Sequence, residues 1–147
     1  SLGLVGSEMC IRDRVRKCLE EFEGSVLGRG YSSNPIIYGD GSQGFDFVYV
    51  KDACRSCILA MTSPLTGNVY NISSAKQVSI LDLCKTIQKI MNNNFPIDFI
   101  DKDDDKHLVT NRIGSIEKAK DELEFEVEVT LENGLKKVID WKLSKFA

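Results

Sequence analysis

An α/β fold, laid out as a small mixed domain, is the class that this 147-residue sequence predicts. Three observations point there. Pro35–Asp52, PIIYGDGSQGFDFVYVKD, reads as strand, glycine-rich turn, strand and helix start. Two later stretches carry apolar residues at helical spacing. Short strand-like runs alternate with the helices along the chain, as in α/β chains, instead of gathering in one half.

In order, Val15 to about Phe22 is the first predicted helix, with Val15, Cys18, Leu19 and Phe22 on one face. Gly24, Gly28 and Gly30 interrupt the pattern, and Tyr31–Pro35 reads as a loop. Ile36–Tyr38 and Asp46–Val50 are β-branched and aromatic, which predicts two strands in a hairpin-like unit around the glycine turn. Asp52 is placed to cap a helix from Ala53 to about Met61, with Ala53, Cys57, Ala60 and Met61 on its packed face. Pro64 and Gly67 end it, and Gly67–Ile72 predicts a further strand.

Ser79 opens a capping-box-like pattern with Asp82 in place of Glu. Ile80, Leu83, Ile87 and Ile90 then form the stripe of a helix ending near Met91, where three asparagines stop it. Phe95–Ile100 predicts a strand and Asp101–Lys106 a charged loop. Ser115 caps a short helix through Leu123. Thr130 caps the last helix, Leu131 to about Leu143, whose face is Leu131, Leu135, Val138 and Ile139 with Trp141 and Leu143 beside it. The strands are too short for a complete doubly wound sheet.

Composition narrows the function. Hydrophobic residues make up 42%, enough for a core, and charged residues 28% with a net charge of -3. Nucleic-acid or acidic-membrane binding needs concentrated positive charge, so neither partner is expected. No apolar run approaches the roughly 18 residues of a membrane span. Five cysteines, an odd number without a secretory signal, read as thiols in a reducing cytoplasm.

Several motifs carry little. Cys54 and Cys57 form C-x-x-C, which reads as two small helical residues. No second Cys/His pair completes a zinc site. Asp101, Asp103, Asp104 and Asp105 suggest calcium, but an EF-hand loop from Asp101 would place Lys106 and Arg112 where Gly and Glu are needed. His107, the single histidine, has no nucleophile around it in sequence. No metal site is expected.

Gly39, Gly41 and Gly44 match G-x-G-x-x-G, yet strand-like FDFVYV follows where a dinucleotide site needs a helix. A tight turn near a ligand fits better. Four residues beyond Tyr31, Tyr38, Tyr49 and Tyr70 stand Pro35, Ser42, Ala53 and Ser74, so the Tyr/Lys pair of short-chain dehydrogenase chemistry is missing. No catalytic or cofactor-binding residue is assigned.

The ordered set PIIYGDGSQ, FDFVYVKD, VYNISS, SILDL, NRIGSIEKA and LENGLKKVIDW resembles the C-terminal substrate-binding part of extended short-chain dehydrogenase/reductases, the NAD-dependent epimerase/dehydratase family, over roughly Val15 to Lys142. The likeness is to UDP-glucose 4-epimerase-like members, and Pro35–Asp52 resembles their interdomain hinge. It implies a C-terminal fragment of a Rossmann-type enzyme, with 15–147 as the substrate-binding portion and the NAD-binding domain upstream. It further implies NAD and a UDP-sugar in the intact parent, a cytoplasmic and homodimeric enzyme, and no turnover by this part alone. A dehydratase or reductase parent, or a non-catalytic interaction domain, are the alternatives. Residues 1–14, SLGLVGSEMCIRDR, resemble translated sequencing-adapter sequence and read as a non-native N-terminus.

Residue by residue, the resemblance puts Pro35, Ile36 and Tyr38 at the nucleotide base and Asn71 at a polar position near the nucleotide. Phe45 stands where many relatives carry a diphosphate-binding Arg. A second such Arg is replaced by the 101–107 stretch DKDDDKH, and Arg112, just beyond it, is the candidate substitute.

Overall fold

A computed structural model describes residues 34–100 and 111–144. The expected helix from Val15, residues 1–14, the Asp101–Lys106 loop and His107 lie outside them. The described elements are β1 (Ile36–Tyr38), β2 (Gly44–Asp46), α1 (Val50–Thr62), β3 (Gln77–Ser79), α2 (Ile80–Ile90), β4 (Asp98–Ile100), β5 (Asn111–Arg112), α3 (Glu117–Leu123) and α4 (Leu131–Ser144). The α/β class is as expected.

The strands form two small sheets. β1 pairs in parallel with β4, Ile36 opposite Asp98 and Tyr38 opposite Ile100. β2 is central in the other sheet, antiparallel to β3 and parallel to β5. The glycine turn therefore closes no hairpin. Its carbonyls face α2 instead: Gly41 O accepts from Leu81 N at 3.1 Å, and Gln43 O from Ile80 N at 3.0 Å. The turn carries the chain from one sheet to the other across the start of that helix. Gly41 has φ +76°, and a Cβ there would stand 3.1 Å from Leu81 Cβ, so both its conformation and its packing require glycine.

The second strand is Gly44–Asp46, so it ends at the residue where the expected Asp46–Val50 begins. Beyond it Tyr49 becomes the α1 N-cap, its carbonyl accepting from Asp52 N and Ala53 N. Asp52 is thus not the cap. It lies in the first turn, 1% exposed, with its carboxylate turned inward. The packed face of α1 also differs from the expected one. Asp52 and Ser56 are buried and Leu59 packs against the Ala119 cluster, whereas Cys57, Ala60 and Met61 are exposed. The inward pull comes from polar partners on the 125–129 segment, which a count of apolar residues does not register.

Gly67–Ile72 forms no strand. Tyr70 and Ile72 pack on the Ala119 cluster while Val69 and Asn71 face out, so the strand-like alternation is real but no ladder forms. β4 is shorter than expected because Phe95 O is taken by Gln88 Nε2 and Pro96 has no N–H to give a ladder. β3 was not anticipated.

The helix signals hold better. Ser79 Oγ accepts from Asp82 N at 3.0 Å at the start of α2, and Thr130 Oγ1 from Asn133 N at 3.3 Å at the start of α4. Asn92, at φ +53°, follows the end of α2. Ile116, not Ser115, caps α3; Ser115 Oγ reaches Glu117 N at 3.5 Å.

Two cores result. Leu83 and Ile87 of α2 meet Leu135 and Ile139 of α4, with Phe47 and Val78 against them. Ala119, Leu123 and Phe125 form the second, covered by Leu59, Tyr70 and Ile72. Each large buried side chain contributes about 1.5–3 kcal/mol. No described helix is long and apolar enough to cross a membrane.

Candidate functional site

The sequence-derived candidates fall on both sheets. Pro35 is buried, and its carbonyl accepts from Asp98 N at 2.9 Å. Ile36 is half-buried and Tyr38 exposed, so β1 offers one aromatic face to solvent. The turn after it is pinned: Gly39 N donates to Ile100 O at 2.9 Å and Gln43 Nε2 to Tyr38 O at 3.3 Å. Asp40 Oδ1 accepts from Ser42 Oγ at 2.7 Å and from Ser42 N at 2.9 Å. Those bonds, the hydroxyl's first, hold the Asp40 carboxyl below its ordinary value.

On the other sheet Phe45 is buried, its ring tilted against Phe47 with 6.4 Å between centroids. Its register partner on β5 is Arg112, which is exposed. Gln77 Nε2 donates to Asn111 Oδ1 at 2.5 Å, so β3 reaches across β2 to hold β5 from its far side. Phe45 and Arg112 are therefore brought side by side. Asn71 is exposed on the irregular strap of residues 63–76 before β3, and Ile36 and Tyr38, with Pro35 just before them, belong to the other sheet.

Sequence reasoning missed Asp46. Its Oδ1 accepts from Ser74 N and Ser74 Oγ, both at 2.6 Å, and its Oδ2 from Ala75 N at 3.1 Å and Gly114 N at 3.3 Å. Ser73 Oγ adds a bond to Gly114 O at 2.9 Å. One carboxylate thus joins the strap carrying Asn71 to the segment carrying Arg112. The available signal was an acid between two phenylalanines in an otherwise apolar run.

The fit to a dinucleotide can be tested directly. A helix N-terminus holds pyrophosphate through unbonded amides. At α2 the Ile80, Leu81 and Asp82 amides are already bonded to Gln43 O, Gly41 O and Ser79 Oγ. The glycine turn presents carbonyls, not amides, to that helix. These residues do not fit an NAD pyrophosphate. Among the described residues no group of three or more His, Cys, Asp or Glu could hold a metal. Cys54 and Cys57 are exposed and unbridged within α1, not at its first turn. A depression of about 340 Å³ between Glu128–Val129 and α4 is lined by Asn133, Lys136, Lys137 and Asp140, and includes none of the candidates.

Comparison with known proteins places these features in context. A family model described as GDP-mannose 4,6 dehydratase matches residues 28–138. A UDP-N-acetyl-alpha-D-glucosaminuronate decarboxylase of Bacillus cytotoxicus is 30% identical over 110 residues, 72% of this chain and 34% of that protein. The chain spans about a third of the length of the curated relatives it matches. Among solved structures, UDP-glucose 4-epimerase of Thermotoga maritima with UDP-glucose is similar at TM-score 0.75 and 26% identity, over 88% of this chain and 40% of that one. UDP-glucuronic acid 4-epimerase of Bacillus cereus in complex with NAD is similar at TM-score 0.71 and 25% identity, with the same two coverages, 88% and 40%.

Proposed function

We propose, on the premise that this chain belongs to the NAD-dependent epimerase/dehydratase family, the extended short-chain dehydrogenase/reductases, that it is the nucleotide-sugar-binding portion of a longer 4-epimerase acting on a UDP-sugar. Residues 15–147 hold the nucleotide. An upstream domain holds NAD and supplies the Tyr/Lys pair, so this portion alone does not turn substrate over. The parent works in the cytoplasm as a homodimer.

The observation that carries the reading is the β2–β5 pairing, which sets the exposed Arg112 directly beside Phe45. A nucleoside diphosphate needs an apolar slot for its base and a cation for its phosphates. Guanidinium grips phosphate oxygens in a bidentate fork. The exposed Tyr38 and half-buried Ile36 of β1 supply the apolar wall, and Asn71 a polar edge. Support for a missing upstream domain comes from α1, whose exposed face carries Val50, Ile58 and Met61 while its buried face carries Asp52 and Ser56.

A dehydratase or reductase parent is the second reading, and a decarboxylase parent stands beside it, since a decarboxylase and a UDP-glucuronate 4-epimerase are both 30% identical to this chain. Product analysis on the full-length parent separates these reactions. The test of the shared claim is thermal shift of that parent with UDP-glucose and UDP-glucuronate. A saturable rise in Tm is expected. No rise with either would favour a non-catalytic interaction domain, and epimerisation by the 147-residue chain alone would refute its dependence on the upstream domain.

A further inference from the structure

We infer that Asp46 is a positioning residue for nucleotide binding: it sets Asn71 and Arg112 relative to each other by bonding both of the segments that carry them. The inference rests on the reading just given.

The two segments need such a fastening. β5 is only two residues long, and its ladder to β2 ends at Arg112. The strap before β3 forms no ladder until Gln77. Tyr70 and Ile72 hold the strap to the Ala119 cluster and Ser73 Oγ bonds Gly114 O, but Asp46 is what fastens both segments to β2 next to Phe45. Asp46 is the residue of β2 next to Phe45, and its carboxylate takes four hydrogen bonds from them: Ser74 N and Oγ and Ala75 N on one side, Gly114 N on the other. Ala75 is at φ +55°, a conformation costly for a residue with a Cβ, which the Asp46 bonds offset. Gly114 is close enough to Ser73 that a Cβ would stand 2.9 Å from Ser73 Oγ, so the two segments also pack directly.

A carboxylate is suited to this task because each of its oxygens accepts more than one hydrogen bond without any donor of its own to satisfy. An amide in its place keeps one acceptor oxygen and points a donor at Ala75 N and Gly114 N. Asp46→Asn therefore breaks the link to Gly114 while leaving the side-chain shape unchanged. Arg112 lies two residues before Gly114 and Asn71 three before Ser74, so both move when the link is lost.

The test uses the full-length parent, labelled with nitrogen-15, and two probes, UDP and UMP. Amide exchange at Ala75 and Gly114 should accelerate in Asp46→Asn, while exchange at Ser74, whose acceptor oxygen remains, and the rest of the pattern are kept. The wild type should bind UDP more tightly than UMP, because Arg112 reads the second phosphate. In Asp46→Asn that ratio of Kd values should fall towards one, an effect that general loosening, which weakens both ligands alike, does not produce. Ser74→Ala, which removes a single donor, should lower the ratio less and serves where Asp46→Asn does not fold. Unchanged exchange at Ala75 and Gly114, or an unchanged UDP/UMP ratio in variants of a chain that does discriminate, overturns the inference alone. A wild type that binds neither nucleotide removes the proposed function and the inference together.

Discussion

Phe45 and Arg112 are register partners across the parallel β2–β5 pair. That places a guanidinium one strand from an aromatic residue that is itself buried. In the family resemblance Phe45 occupies a position where relatives carry the cation, so the pairing returns a positive charge to the neighbourhood from a different strand. Arg112→Ala should weaken UDP binding by the full-length parent by about 10- to 100-fold, the value of a charge-assisted bond or two. Arg112→Lys should recover only part, since an ammonium cannot fork. Calorimetric titration of the three proteins checks this. Equal affinities would remove Arg112 from the site.

Asp52 is the other carboxylate on which the architecture turns. Its oxygens accept from Val129 N at 3.0 Å and Glu128 N at 3.3 Å, and Arg55 Nη2 lies 3.6 Å away. Arg55 continues to Glu126 O, to Glu128 at 3.2 Å, and over the Phe125 ring at 5.4 Å. The pair thus bolts the 125–129 segment, and the core residue Phe125, to α1. Asp52→Ala leaves two amides and a guanidinium without this partner, and should cost about 3 kcal/mol in urea unfolding. Asp52→Asn, which keeps one acceptor, should cost less. A loss near zero would mean that water satisfies the amides.

These two acids show where the sequence was legible and where it was not. The stripe Leu83–Ile87 and the caps Ser79 and Thr130 were readable because periodicity and capping are local. β1 was found to the residue. Errors arose where a side chain bonds a distant backbone. Asp46 ends a strand, Gly44–Asp46, at the point where composition alone would begin one and run it to Val50, and Asp52 draws inward a helix face that apolar counting turns outward. Gly67–Ile72 alternates like a strand, but whether a ladder forms depends on a neighbouring edge that local sequence does not reveal. The hairpin expectation failed for the same reason: the glycine turn serves α2, which lies some 40 positions on from it. In the site, individual residues could be named from the resemblance. The β2–β5 register that brings Phe45 to Arg112 could not.

The reversed polarity of α1 leads to a prediction about its thiols. Cys54 and Cys57 share the exposed side with Val50, Ile58 and Met61, the last 84% exposed. A helix that turns its apolar stripe to solvent has a cover elsewhere, here the proposed upstream domain. Both thiols should react with a maleimide reagent in the 147-residue chain and be shielded in the full-length parent. Met61→Ser should lower the Tm of the parent while leaving that of the 147-residue chain almost unchanged. Equal labelling in the two proteins would show that this face is not the interdomain surface.

Tyr70 gives a pH signature of the second core. Its hydroxyl donates to Glu122 Oε2 at 2.7 Å, joining the strap to α3. That hydrogen bond first, then partial burial and the Glu122 charge, raises the phenol above its ordinary value of 10.0. The sign follows from which form makes the bond. Neutral tyrosine donates; phenolate has nothing to donate and faces a carboxylate. A group whose folded value is raised contributes stability that is fully present below the unfolded value and disappears as pH climbs through the folded one. The Tyr70–Glu122 link should therefore be intact throughout the neutral range and weaken only above pH 10. Tyrosine-ring carbon NMR should find, among the chain's four tyrosines, one that titrates late, and Glu122→Ala should return it towards 10. If the late titration survives in Glu122→Ala, the carboxylate is not its cause, and the strap is fastened to α3 by packing of Tyr70 and Ile72 and by the Lys118 Nζ–Asn68 Oδ1 bond.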